Sequence, residues 1–246
     1  MDLARQRVLI TGGTRGIGLA LARALREAGA KVAVCGRDVE RLDWLRSDLP
    51  EIRALHCDLA QPTQLVGFVA RLHHDFGKPT MLVNNAALQF NDLWLETDPQ
   101  QVVDRSELEV RVNLTSALQL TALLLPDLLA AEEAAIVLLS SVVAFAPKRS
   151  APTYSATKAA LHSFGCALRY QLAQTRVRVV EVVPPLVDTE MTAGRGKNKL
   201  SPSAVAAAVV QGLATGESEI FVGKARLFRW VHRLAPGLAA RLVKDS

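Results

Sequence analysis

The 246-residue sequence predicts an α/β fold of the doubly wound kind, and three observations carry that prediction. Strand-length apolar runs alternate with amphipathic helical patterns along the chain. The first run, Val8-Leu9-Ile10, passes through the glycine-rich string Thr11-Gly12-Gly13-Thr14-Arg15-Gly16-Ile17-Gly18 directly into a helix former that stops at Gly29. Half of the residues are hydrophobic, enough to bury a substantial core as one domain over residues 1–246.

The glycine string sits at a strand-to-helix turn, where unpaired N–H groups and the positive end of the helix dipole attract phosphate. Without a Cβ, Gly12 takes the tight turn, Gly16 lets the main chain approach a pyrophosphate, and Gly18 lets the helix pack on the strand. A purely structural turn needs glycines too; the strand and helix on either side favour the nucleotide reading. The string lacks the Lys-Ser/Thr ending of a P-loop, which disfavours an ATPase.

The formal net charge is +5, but the arginines are spread along the chain with no aromatic stacking motif, which argues against nucleic acid as a partner. Cys35, Cys57 and Cys166 are far apart in sequence and show neither metal-ligand nor disulfide spacing, so they read as small buried residues and no metal is expected. No apolar run reaches the roughly 18 to 20 residues of a membrane span. Met1 to Gln6 lead into the first strand without a signal-peptide core, so a cytoplasmic location is expected.

A second strand, Lys31 to Cys35, is followed by Gly36 and Arg37 and a helix from about Val39 to Asp48. This strand end is expected beside the adenosine ribose, where an acidic residue would repel a 2′-phosphate. Gly36 and Arg37 stand there instead, and Arg15 offers a second cation, so NADP(H) is favoured over NAD(H). The plainer alternative makes both arginines exposed turn residues. After the third strand, Ile52 to His56, come Asp58 and Leu59. Asp58 suits either the adenine amino group or the cap of the next helix, about Pro62 to Phe76, whose apolar side is Leu65, Phe68, Val69 and Leu72. His73 and His74 end that helix, where dipole and solvent explain them better than a metal. Met81 to Val83 form a fourth strand leading into Asn84, Asn85, Ala86 and Ala87, small and amide residues suited to close approach of an adenosine. An irregular stretch from Leu88 to Gln100 precedes a helical region from about Val102 to Leu129. Asn113 lies within it among apolar neighbours, either as a structural hydrogen-bonding residue or as part of a site.

A fifth strand, Ala135 to Leu139, ends in Ser140-Ser141. Tyr154 and Lys158 then open an apolar helix reaching about Thr175, and their i, i+4 spacing puts both on one face. An ammonium beside a phenol stabilises the phenolate, which is expected to lower the tyrosine pKa towards the range of a working acid or base. Such a pair is commonly a plain surface contact; downstream of a strand-end serine and a nucleotide turn it becomes a catalytic candidate.

Assembled, these residues resemble the short-chain dehydrogenase/reductase family over essentially the whole chain. The matches are Thr11 to Gly18, Asp58, Asn84 to Ala86, Asn113, Ser141, Tyr154 with Lys158, and Pro184-Pro185-Leu186-Val187-Asp188-Thr189-Glu190-Met191 after the sixth strand. Within the family the chain is similar to the DltE-type oxidoreductases associated with the D-alanyl-lipoteichoic acid operon. The resemblance implies a Rossmann-type domain with a seven-stranded parallel sheet and helices on both faces. It further implies hydride transfer between the cofactor and a small carbonyl or alcohol substrate, and a homodimer or homotetramer. Tyr154 would be the acid/base and Ser141 the partner of the substrate oxygen. Lys158 would bind the nicotinamide ribose, and Asn113 would hold a relay water. Gly12, Thr14, Arg15, Gly16, Ile17, Gly18, Arg37, Asp58, Leu59, Asn85, Ala86, Pro184, Val187 and Thr189 would join Tyr154 and Lys158 around the cofactor. Ala87 and Pro185 replace glycines of the family pattern, which affects geometry near the nicotinamide rather than proton transfer. The rivals are a non-catalytic NADP(H)-binding regulator and an NAD-dependent alcohol dehydrogenase of the same fold.

Phe145, Leu186, Met191 and Trp94 are candidates for an apolar substrate pocket, although core packing explains them as well. Thr192 to Leu200 reads as a loop over the site, its charge either selecting an anionic substrate or keeping the loop soluble. A helix from about Pro202 to Ala214 and a strand at Glu219 to Val222 follow. The basic amphipathic tail, residues 226–246, fits a cover over a partner subunit or the substrate cleft better than a membrane surface, because Pro236-Gly237 interrupts it.

Overall fold

Near-continuous apolar runs favour strands buried on both faces, which requires helices on each side of the sheet. The computed structural model, which describes residues 1–245, has that arrangement. The strands are β1 (Arg7–Thr11), β2 (Lys31–Gly36), β3 (Ile52–His56), β4 (Met81–Asn84), β5 (Ala134–Leu139), β6 (Val177–Val183) and β7 (Glu219–Phe221). All run parallel, in the order β3-β2-β1-β4-β5-β6-β7. The helices are α1 (Gly16–Glu27), α2 (Val39–Asp48), α3 (Leu65–Asp75), α4 (Pro99–Val110), α5 (Ser116–Ala130), α6 (Pro152–Gln171), α7 (Pro202–Thr215), α8 (Ala225–Leu234) and α9 (Pro236–Val243). Alternation along each strand divides the core in two. Val8 and Ile10 join Leu21, Leu25, Leu42, Val205 and Val209 on one face. Leu9 joins Phe68, Leu72, Leu120, Leu124 and Leu161 on the other.

The chain winds outward from β1 to β3, then returns across β1 to β4. Connections leaving β1 and β4 therefore diverge to opposite faces and open a crevice at their carboxyl ends. This crevice positions the site.

The stretch expected to stay irregular up to Gln100 turns helical at Pro99, because the Asp98 carboxylate accepts the Gln101 N–H and proline suits the first helical position. A π-helical turn, Arg111–Thr115, joins α4 to α5. Within the resulting 32-residue rod, Pro99–Ala130, one 18-residue window is apolar and long enough to cross a bilayer by length and composition alone, which the sequence reading did not expect. Leu120, Leu124 and Leu128 lie fully buried against the sheet, so this hydropathy belongs to the core. α6 starts two residues ahead of Tyr154, at Pro152, and stops at Gln171. Cys35 and Cys57, distant in sequence, are brought close by the β2–β3 pairing and both are buried, as expected; Cys166 is only half-buried.

The tail folds into α8 and α9, separated at Pro236 as expected. Phe228 and Val243 pack with Val142, Val143 and Tyr154, while Leu227, Trp230, Leu234, Leu238 and Leu242 face outward. Residue 246, the end of the expected tail, lies outside the described residues.

Among the glycines of the crevice floor Gly18 has the least room: a Cβ there would overlap the Gly12 carbonyl oxygen and lie 2.5 Å from Asn85 Nδ2 and 2.9 Å from Gly13 Cα. Gly18→Ala is expected to lose about 1–3 kcal/mol in urea unfolding.

Candidate active site

The floor of the crevice is built by Thr11 and Asn85. The Thr11 hydroxyl donates to the Val83 carbonyl at 3.3 Å and accepts the N–H groups of Asn85 and Ala86 at 3.0 and 3.1 Å. Asn85 Nδ2 donates to the carbonyls of Thr11 and Gly12 at 2.8 and 3.1 Å. Gly12 sits at φ +63°, the left-handed region that a tight turn requires. No side chain caps the N-terminus of α1, so its first N–H groups remain open to a ligand.

A cavity of about 460 Å³ fills the crevice. Every residue assigned from sequence to catalysis or cofactor binding lines it, with the exception of Asn113. One end is bounded by Arg15, Arg37 and Asp58, the other by Ser141, Tyr154 and Lys158. A glycine floor without room for a Cβ, an open helix N-terminus and a cavity lined from the end of β2 to Tyr154 together fit a dinucleotide.

At the first end, Arg15 pairs with Glu190 rather than standing free beside Arg37. Arg41, which the sequence reading missed, joins the same carboxylate at 2.9 Å and also pairs with Asp38 at 3.0 Å. Its position one turn into α2 gave no spacing signal, because the glutamate that it meets is remote in sequence. Asp58 lines the cavity, and its carboxylate accepts the Ala60 N–H at 3.0 Å; it does not cap the next helix, whose leading turn begins at Gln61 without a side-chain cap.

At the second end, Tyr154 and Lys158 share a face of α6, with Lys158 Nζ 5.5 Å from the centre of the Tyr154 ring. Lys158 Nζ donates to the Leu139 carbonyl at 2.6 Å. Burial pushes the Tyr154 phenol up to about 12, partly opposed by the Arg195 charge. The expected lowering by Lys158 is absent, because desolvation outweighs the cationic influence on the phenol and the ammonium is directed at Leu139. Burial also brings Lys158 down to about 8, with the Glu181 carboxylate acting the other way. The Ser141 hydroxyl accepts the Val143 N–H at 3.3 Å as the cap of a short 3-10 turn.

Asn113 lies behind the cavity wall, in the π-helical turn. It accepts the Leu88 N–H at 2.7 Å and donates to the Leu88 carbonyl and the Thr157 hydroxyl at 2.8 and 3.2 Å. Leu186 and Met191 line the cavity as expected, whereas Phe145 packs against Phe221 and the rings of His162 and His232, and Trp94 is exposed. Lys148 and Arg195 join the lining at this end. No described residue of the tail lines the cavity; the tail packs beside Tyr154 and Val143 instead.

The short chain dehydrogenase family model matches residues 6–200 of the chain. The chain is 38% identical over 226 residues to the uncharacterized oxidoreductase DltE of Bacillus subtilis, covering 89% of each. Its structure resembles a short chain dehydrogenase from Burkholderia cenocepacia in complex with NADP, with a TM-score of 0.86, 27% identity and full coverage of both chains. A short chain dehydrogenase/reductase from Burkholderia phymatum in complex with NAD shares the fold, with a TM-score of 0.83, 20% identity and coverage of 100% and 98%.

Glu109 is the acid here that the sequence did not single out. It is buried, its carboxylate accepts the Phe90 N–H at 2.7 Å, and burial pushes it up to about 7 against that hydrogen bond. The folded protein therefore keeps a proton that the unfolded chain releases near pH 4.3, so stability falls as pH rises from about 4.5 to 7. Glu109→Gln is expected to flatten that slope and to raise Tm at pH 8 by about 2–4 °C in thermal melts.

Proposed function

The chain belongs to the short-chain dehydrogenase family, and from that membership we propose that it is an NADP(H)-dependent oxidoreductase interconverting a carbonyl and an alcohol. The observation that carries this reading is the pairing of half-buried Tyr154 with buried Lys158 on one helix face, in the cavity that the glycine turn also lines. When bound, the reduced cofactor supplies the hydride that reaches the substrate carbonyl carbon. Tyr154 holds a proton at its phenol oxygen and gives it to the alkoxide oxygen; a pKa of about 12 keeps that proton in place across the physiological range. Ser141 Oγ hydrogen-bonds the same oxygen and stabilises the charge that develops there. Lys158 orients the nicotinamide ribose from the α6 face that it shares with Tyr154, its ammonium held by the Leu139 carbonyl. Asn113 anchors the backbone at Leu88 and the Thr157 hydroxyl, holding the cavity wall beside the α6 face that carries Tyr154.

Three arginines, Arg15, Arg37 and Arg41, line the cavity end beyond β2, where Gly36 occupies the strand end. A 2′-phosphate placed there would find guanidinium donors and would compete with Glu190 for Arg15 and Arg41. The relative solved with NADP supports this preference.

The test is oxidation of NADPH, followed at 340 nm, across aldehydes, ketones and quinones. Tyr154→Phe is expected to lose at least about 100-fold in turnover while NADPH still quenches or shifts protein fluorescence; undiminished turnover would refute the assignment. Arg37→Ala and Arg41→Ala are each expected to weaken NADPH binding about tenfold and to leave NADH binding little changed. Equal affinity of the wild type for both cofactors would overturn the NADP(H) preference.

A further inference from the structure

Among the described residues, two cations at the Tyr154 end of the cavity have no acidic partner. Lys148 lies in the loop that leads into α6, its backbone fixed by the Ser155 hydroxyl, which accepts the Lys148 N–H at 3.1 Å, and by the Ala151 N–H, which donates to the Lys148 carbonyl at 3.2 Å. Among the described residues no carboxylate pairs with its ammonium. Arg195 lies in the loop after β6, where one guanidinium nitrogen donates to Asn91 Oδ1 at 3.2 Å and the other to the Met191 carbonyl. These neutral acceptors hold the side chain in place and leave its charge uncompensated. Both residues are half-buried and line the cavity.

Nearby acids are otherwise engaged. Asp92 pairs with Arg105 at 2.6 Å, Asp188 pairs with Lys199 at 3.3 Å, and Glu109 is directed at the Phe90 N–H. The acids that line the cavity, Asp38, Asp58 and Glu190, belong to the other end, with Arg15 and Arg41. Burial lowers the pKa of Lys148, and the charge of Arg195 lowers it further. Two half-buried like charges facing one cavity are unfavourable until an anion enters.

We propose that Lys148 and Arg195 form a subsite for an anionic group, carboxylate or phosphate, carried by the substrate beside its reacting carbonyl. The assignment of that anion to a substrate rests on the oxidoreductase reading above; the anion binding itself does not. The arginine fork fixes orientation, and the lysine adds a point charge on the opposite loop. A neutral carbonyl compound of the same size would leave both charges uncompensated.

Calorimetric titration of the protein saturated with NADP+ tests this, since the oxidised cofactor cannot reduce an oxo compound. The probes are acetoacetate against methyl acetoacetate, and D-glyceraldehyde 3-phosphate against D-glyceraldehyde. At least one anion is expected to bind ten times or more tighter than its neutral counterpart, and the pair that discriminates identifies carboxylate or phosphate. Lys148→Met and Arg195→Met, both on surface loops, are each expected to weaken that anion at least fivefold without weakening its neutral counterpart. Equal affinities within both pairs, no binding of either anion, or undiminished anion binding in both variants would overturn the subsite. Anion binding retained by a protein that oxidises NADPH with no carbonyl compound would remove the oxidoreductase reading and leave the subsite standing.

Discussion

The architecture depends on how β1 and β4 are tied together at their carboxyl ends. Thr11 and Asn85 exchange side-chain and backbone hydrogen bonds across the point where the winding direction reverses. A crevice is inherently a place where backbone groups lack partners, and here the amide and hydroxyl satisfy those groups without filling the space above them. The glycine turn can then approach Ala86 closely, and the N-terminus of α1 is left facing an open cavity. A longer or apolar residue at position 85 would leave the Thr11 and Gly12 carbonyls without this donor.

Burial governs the chemistry at the other end. Tyr154 and Lys158 are each driven towards their neutral forms, to about 12 and about 8, so the site holds one firmly bound proton and one that titrates near neutrality. Glu181 limits the cost of the buried ammonium. It lies on β6, bonded through one carboxylate oxygen to His162 Nδ1 at 2.7 Å, and its negative charge favours the charged lysine. Helix α6 thus presents Tyr154, Lys158 and His162 at successive i, i+4 positions, with the last serving the carboxylate that supports the second.

Much of this was legible in the sequence because the relevant signals were local. Period and turn chemistry located the strands, and Gly12 to Gly18, Ser141 and Tyr154 with Lys158 all reached one cavity. What escaped was set by distance along the chain. Arg41 acquires its meaning from Glu190, Cys35 from Cys57, and Glu109 from the Phe90 backbone, none of which periodicity connects. Asn113 illustrates another limit: its apolar neighbours singled it out, but only the π-helical turn explains why its amide meets Leu88 and Thr157. The tyrosine pKa escaped for a different reason, since a charge partner four residues away is visible in sequence whereas depth of burial is not.

The tail gives the chain an uneven charge. Residues 226–246 contain five basic side chains and one acid, and so hold four of the five net positive charges. The rest of the molecule is close to neutral overall, and a pI near 9.4 is mainly a property of α8 and α9. Behaviour on an ion-exchange column or in an electric field would accordingly report the accessibility of two short helices rather than the surface as a whole.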